Sequence, residues 1–232
     1  MYLPKYHQLN DRDSMWSTID NHALGAWVCQ SGDSLIANHL PFFLDRSRGP
    51  FGTLMGHVSR ANPVWHELKS STPSVVMFSG PQSYITPGWY PSKSEHGEVV
   101  PTWNYLVVHA HGNAHMKDDH VWMLDMLQRM VTAQESKRVK PWGIGDAPEA
   151  YIGKMLRAIV GIEIPIERLE GKLKVSQDEA LQDRIGTVQG LLTEPGNEAH
   201  SVAQLVRQSI ESQLPTSSGQ SQHPGTVTTG SS

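Results

Sequence analysis

Residues 80–104, GPQSYITPGWYPSKSEHGEVVPTWN, decide how the rest of the chain is read. Pro81, Pro87, Pro91 and Pro101 stand among Tyr84, Trp89, Tyr90 and Trp103, with Ser83, Ser92, Lys93, Thr102 and Asn104 as donors between the rings. An ordinary loop is polar and poor in aromatics, and a central strand rejects this much proline, which cannot donate to the ladder. Aromatic planes on a backbone stiffened by proline, with a few fixed donors, suit a flat, anionic ligand. The plainer alternative is an aromatic-rich loop packed over a barrel edge. Loops held by a rigid scaffold commonly carry function.

Upstream of that stretch, strand signals dominate. Asp11 or Asp13 caps a short helix carrying Met15, Trp16 and Ile19, and residues 22–25 end it, with Gly25 suited to the turn. Residues 26–30 read as a strand, 31–34 (SGDS) as a hairpin turn, and 35–44 as a second strand bent or ended by Pro41. Residues 51–59 make a third strand, 64–68 start a short helix, and 74–79 (SVVMFS) form a short buried strand. Downstream, residues 105–111 continue the series. Strand, turn and strand with few helices indicate an antiparallel barrel or sandwich, not alternating β-α units.

The second half changes character. Asp118 or Asp119 caps a helix with Met123, Leu124, Leu127, Met130 and Val131 on one stripe. Asp146-Ala147-Pro148 starts another, whose buried face is Ile152, Met155, Leu156, Ile159 and Val160, with Gly161 ending it. Residues 162–169 alternate as a half-buried strand, Glu170-Gly171 turns the chain, and 172–176 form a further short strand. Leu181, Ile185, Val188 and Leu192 make a helical stripe, and Val202, Leu205, Val206 and Ile210 suggest one more exposed helix. The expected organisation is a domain over residues 1–192, a helical extension over 193–214, and a disordered tail over 215–232, where nothing is available to bury.

Composition excludes several classes. With 19 basic and 23 acidic residues the net charge is −4, leaving no basic surplus for phosphates of DNA or RNA. Cys29 is the only cysteine, so an intrachain disulfide and a thiolate-rich zinc site are both ruled out; in AWVCQ it reads as an inert buried thiol. No apolar run approaches the ~20 residues of a membrane helix. The first residues, MYLPKYHQLND, lack a signal-peptide pattern, so a soluble cytoplasmic protein is expected.

Few constellations carry chemistry. His109 and His111 lie two apart on a predicted strand and face one side, with His115 following. A metal site needs a third ligand, which the sequence does not identify, and no metal is expected. No Gly-x-Ser-x-Gly elbow and no phosphate-binding glycine loop occur. GHVSRANPVW (residues 56–65) sets His57, Arg60 and Asn62 at a strand exit, where Arg60 offers a fork for a phosphate or closes a salt bridge. EGKLKVSQ (residues 170–177) places Lys172 and Lys174 on one side of a strand, with Ser176 and Gln177 after them.

Taken together, ANHLPFFLD (residues 37–45), GHVSRANPVW, SYITPGWYPSKSEHGEVVPTWNY (residues 83–105), VVHAHG (residues 107–112) and RAIVGIEIPIERLEGKLKVSQ (residues 157–177) resemble the PaiB-type, FMN-binding negative transcriptional regulator family. The resemblance covers roughly residues 1–192. It implies a mainly β (α+β) FMN-binding split barrel: a six-stranded antiparallel Greek-key barrel with peripheral helices, as a homodimer with FMN at the subunit interface. It further implies flavin contacts from His57, Arg60, Asn62, Trp89, Tyr90, Lys93, Thr102, Trp103 and Asn104. Lys172, Ser176 and Gln177 come from the far end of the chain or from the partner. Many members continue the last motif with Asn-Arg where this chain has Asp178-Glu179, a change that weakens anion binding at that end. DNA binding is implied by resemblance alone, since no helix-turn-helix with a basic recognition helix is visible. The competing function is a flavin-dependent oxidoreductase, and a barrel that binds flavin without catalysis is the plainest one.

Overall fold

The computed structural model describes residues 1–68 and 72–213; the expected tail over 215–232 lies outside them. Among these described residues, eight strands run β1 Gln8–Leu9, β2 Leu24–Ser31, β3 Ser34–Pro41, β4 Phe43–Asp45, β5 Thr53–Ser59, β6 Thr72–Ile85, β7 Thr102–Lys117 and β8 Ile159–Lys174. Seven helices accompany them: α1 Arg12–Asn21, α2 Val64–Glu67, α3 Ser92–Glu95, α4 His120–Glu135, α5 Glu149–Arg157, α6 Leu181–Thr193 and α7 Asn197–Gln213.

All strand pairs are antiparallel, in the order β3-β2-β6-β7-β8-β5-β4, with β1 added to β8. The six long strands are those of the expected barrel, and β1 and β4 are short additions. The hydrogen-bonded path is open between β3 and β4, yet one core gathers residues from both ends of it. Trp27, Phe42, Leu54, Val76, Phe78, Val108, Ile162 and Ile164 meet there, nearly all fully buried. Each such side chain contributes roughly 1.5–3 kcal/mol relative to leaving it in water. A second cluster joins Ile85, Tyr90 and Val175 to Val188, Leu191, Val202 and Val206 of α6 and α7. A third packs Met55 beneath Met123, Met126 and Leu156 of α4 and α5.

Away from the core, β3, β2, β6, β7 and β8 present two continuous cross-strand rungs. One is His39–Ala26–Met77–His109–Glu170 and the other Ala37–Val28–Val75–His111–Arg168. Their middles are apolar and their β7–β8 end is charged.

Several local expectations are corrected. Residues 80–104 are not one loop: β6 continues through Ile85 and β7 begins at Thr102. Pro81 is tolerated because the β6–β7 register slips between Ser79 and Gln82, where no ladder donor is required. Glu170-Gly171 is not a turn but the middle of β8, whose 16 residues also absorb Ile159, Val160 and Gly161 from the expected helix. Glycine at 171 reflects close approach: a Cβ there would lie 2.9 Å from Leu9 and Met15 side-chain atoms.

The α6 stripe is also rotated. Of the expected residues Val188 is buried, but Leu181, Ile185 and Leu192 are 48%, 44% and 46% exposed, while Asp183, Arg184 and Thr187 are buried. Specific partners pin Asp183 and Arg184 inward. Asp183 accepts from the Ser92 N–H at 3.1 Å and from its hydroxyl at 2.7 Å. Arg184 donates to Gln213 and Ser209. Helix α7, expected to be exposed, buries Val202 and Val206 completely.

Candidate functional site

The last two motif blocks meet where β7 starts and β8 stops. Asn104 is fully buried on β7 and donates from Nδ2 to the Ser176 Oγ at 2.9 Å. Lys174, the register partner of Tyr105, donates from Nζ to the Thr102 hydroxyl. Ser176 adopts φ 60°, the left-handed region that non-glycine residues seldom enter. Gln177 brackets it, its side chain accepting from the Val175 N–H at 2.7 Å and donating to the Leu173 carbonyl at 2.6 Å. A buried, fully paired turn of this kind holds its side chains in one arrangement.

The WYPSK segment is clamped over this end by α6. Ser92 is tied to Asp183, as above, and Trp89 lies flat against the helix. A Cβ on Gly190 would stand 2.2 Å from the Trp89 ring, and one on Gly186 would stand 2.0 Å from the Trp89 carbonyl oxygen. Tyr90 is buried beneath; burial, then the nearby carboxylates of Glu179, Asp183 and Asp178, push its phenol up to about 12. Glu179 itself is held above the usual carboxylate range by burial and by Asp178 and Asp183.

Beside the clamp is a cleft of about 560 Å³ walled by Tyr84, Trp89 and Trp103, with Glu194 and Glu198 from the α6–α7 turn. Tyr84 and Trp103 meet edge to face, centroids 6.2 Å apart, and Trp103 is 52% exposed. Among the described residues, the two glutamates are the only charged groups lining it, so a phosphate finds no cation there. The cations stand nearby: Lys174 on Thr102, Lys93 exposed on α3, and Lys172, whose Nζ donates to the Tyr2 carbonyl and lies 5.4 Å from the Tyr105 ring centroid.

His57, Arg60 and Asn62 are elsewhere. Strand β7 carries the chain from Asn104 to Lys117, roughly 40 Å at the rise of a strand, before Asp118 reaches Arg60. The Arg60 fork donates to both Asp118 carboxylate oxygens, at 3.0 and 2.5 Å, and to the carbonyls of Arg157 and Ile159 at 2.9 and 3.1 Å. Asn62 donates to the Asn38 side-chain oxygen at 2.8 Å and accepts from the Val64 N–H. His57 is held below its ordinary pKa by burial, and its Nδ1 has no partner among the described residues. The structure therefore brings Trp89, Tyr90, Lys93, Thr102, Trp103, Asn104, Ser176 and Gln177 to one end of the β7–β8 ribbon, with Lys172 just inside it. It leaves His57, Arg60 and Asn62 at the other.

The donors at the β7–β8 end suit a flavin mononucleotide, with lysines and hydroxyls for a phosphate and indole planes for a ring system, while at the opposite end His57 keeps a buried ring nitrogen with no partner among the described residues. Sequence reasoning passed over Lys174 in favour of Lys172, although the period-two spacing places both on one face. Nothing local signalled Asp183, Glu194 or Glu198, which reach the site only through the α6–α7 fold.

The model of the FMN-binding domain family matches residues 1–168. The chain belongs to that family. FMN is the cofactor that defines it, and the PaiB-type resemblance holds. The family relative "Protease synthase and sporulation protein PAI 2" of Bacillus subtilis is 29% identical over 216 residues, 92% of this chain and 100% of that protein. An uncharacterized protein of Emericella nidulans is 31% identical over 243 residues, 90% of this chain and 97% of that one. Among solved structures, the flavocytochrome Anf3 from Azotobacter vinelandii superposes with a TM-score of 0.53 at 14% identity, covering 75% of this chain and 72% of that one. That likeness shows the fold, a split barrel. No helix among the described residues is long and apolar enough to cross a membrane.

Proposed function

We propose that this chain is a PaiB-type flavoprotein whose FMN is held at the β7–β8 end and completed by a second copy of the chain. The observation that carries the reading is the buried Asn104–Ser176 contact beside the Lys174–Thr102 pair, which unites the two most distinctive motif blocks. Lys174 and Lys93 hold the phosphate, Thr102 supplies a hydroxyl from a strand anchored by the buried Ser176, and Trp103 offers an exposed ring plane. Gln177 and Asn104 position these groups from behind. FMN, when bound, supplies electron and hydride transfer.

A second copy explains the division of the predicted residues. One FMN cannot reach both ends of a ribbon roughly 40 Å long. A two-fold axis through the middle of the outer sheet face would lay each chain's Arg60 end beside its partner's Ser176 end. The apolar middles of the two rungs, Ala26, Val28, Val75 and Met77, support burial of that face in a homodimer. Val75→Glu should then sediment as a monomer, and an unchanged dimer would place the interface elsewhere.

The PaiB-type resemblance favours a regulatory role, as a repressor of gene expression, and the name of the Bacillus relative ties that protein to protease synthesis and sporulation. Direct DNA contact by the α6–α7 hairpin has little support: residues 181–213 carry Arg184 and Arg207 against Asp183, Glu194, Glu198 and Glu211. We therefore read regulation as flavin-linked and indirect. The alternative, a flavin-dependent oxidoreductase, rests on the open aromatic cleft, which is wide enough for a small substrate. The visible spectrum of the purified protein with added FMN tests the common premise; a protein that takes up no flavin overturns both. Bleaching by a nicotinamide cofactor with turnover selects the enzyme, and salt-sensitive binding to a promoter fragment selects direct repression.

A further inference from the structure

His109 and His111 follow each other at strand spacing and project from the same side of β7. The structure supplies the third group that the sequence left unidentified. Glu170 on β8 is the register partner of His109, and His111 stands diagonal to it, opposite Arg168. The three ligand atoms all lie within 4.8 Å of one another, and the His111 Nε2 is 2.9 Å from the Glu170 Oε2. His115, further along the strand opposite Glu163, is outside the group.

We propose that His109, His111 and Glu170 form a binding site for a divalent transition-metal ion such as zinc, on the outer face of the sheet. Three features argue for it. Two imidazoles and one carboxylate are the donor set of open zinc sites and of iron(II) facial triads. Metal bonds of 2.0–2.2 Å in a tetrahedron put donor atoms about 3.4 Å apart, so only small side-chain rotations close the triad. The carboxylate is already oriented: the Arg168 guanidinium holds Oε1, leaving Oε2 towards the imidazoles, which is the part an outer-shell partner plays at metal centres.

The place is also built for positive charge. The Met1 ammonium sits 3.2 Å from the Glu170 Oε2, where it does what a cation would do. Metal binding displaces that ammonium and takes over its carboxylate oxygen. All three side chains are half-buried, which removes part of the competition from water. With three protein ligands, the fourth position is left for a further donor, from solvent or from the second copy that the proposed dimer lays on this face.

Titration of the full-length protein with zinc chloride, followed by calorimetry in a buffer that does not chelate, tests the proposal. The expected result is one saturable equivalent per chain. His111→Ala and Glu170→Gln should each weaken it at least about tenfold, the scale on which even outer-shell partners act. His115→Ala should leave affinity within about twofold, as expected for a residue outside the cluster. Because twelve histidines offer weak background sites, the comparison among variants decides. Far-ultraviolet circular dichroism and melting of each variant separate lost ligation from lost folding, and Glu170→Gln preserves shape. No saturable step in the wild type, or the same affinity in folded His111→Ala and Glu170→Gln, overturns the site.

Discussion

Asn104 and Ser176, 72 residues apart in the chain, meet in the interior through a 2.9 Å hydrogen bond from Nδ2 to Oγ. Both side chains are buried, and Ser176 is the only described non-glycine residue with positive φ. The contact lies in the connection between β8 and α6, so it acts on the fold and on the proposed flavin end together.

Two substitutions separate its parts. Ser176→Gly keeps a backbone that accepts φ 60° and loses only the hydroxyl; unfolding in denaturant should show a loss of about 1–2 kcal/mol. Ser176→Val strands Asn104 in the same way and also puts a β-branched side chain in the left-handed region, with an expected loss of about 2–4 kcal/mol. Equal losses would show that the backbone angle carries no cost.

Lys174 and Arg60 differ in what they have free. Arg60 is already engaged with Asp118 and two carbonyls, whereas Lys174 has a single hydroxyl partner. Lys174→Ala should weaken FMN at least about tenfold in a fluorescence-quenching titration, the scale of one charge-assisted hydrogen bond. Arg60→Ala should lower the melting temperature and change FMN affinity less. The reverse order would move the phosphate to the Arg60 end.

Gly190 tests the clamp. Alanine there would place its methyl 2.2 Å from the Trp89 ring, which must move or push α6 away. A loss of about 1–3 kcal/mol is expected, with a shift in tryptophan emission. Gly88→Ala, whose Cβ would meet nothing closer than 3.4 Å, should change neither.

Glu163 should shape the acid limb of stability. Burial acts to raise its pKa, but the Arg48 hydrogen bond at 2.8 Å, the charges of Lys117 and Arg48, and the Trp122 indole hold it below its ordinary 4.5. Folding thus favours the ionised form. Its contribution is complete above pH 4.5 and is lost as pH falls through the lower folded value. Glu163→Gln should be less stable at neutral pH and lose less below 4.5; denaturant midpoints across that range decide it.

Much of this was legible in sequence because it is local. The Asp11 cap, the SGDS hairpin, the Asp119 cap and the strands at 26–30 and 51–59 follow from neighbouring residues and emerge within a residue or two. What failed was set at a distance. Gly171 reads as a turn until β1 and α1 are seen pressing on it, and the α6 stripe reads inward until Ser92, 91 residues away, is seen holding Asp183 inside instead. The site divides the same way. Its aromatic wall announced itself, whereas Glu170 was hidden because its relation to His109 is one of register between strands.

The length of the β7–β8 ribbon has a genetic consequence. If each flavin pocket draws its two halves from different chains, damage at one end of a polypeptide is suffered by its neighbour's pocket as much as by its own. A chain crippled at Ser176 and a chain crippled at Arg60 would each be defective alone. Co-expressed, they would assemble mixed pairs in which one pocket collects both lesions and the other is wholly intact, so two null alleles would restore function to each other.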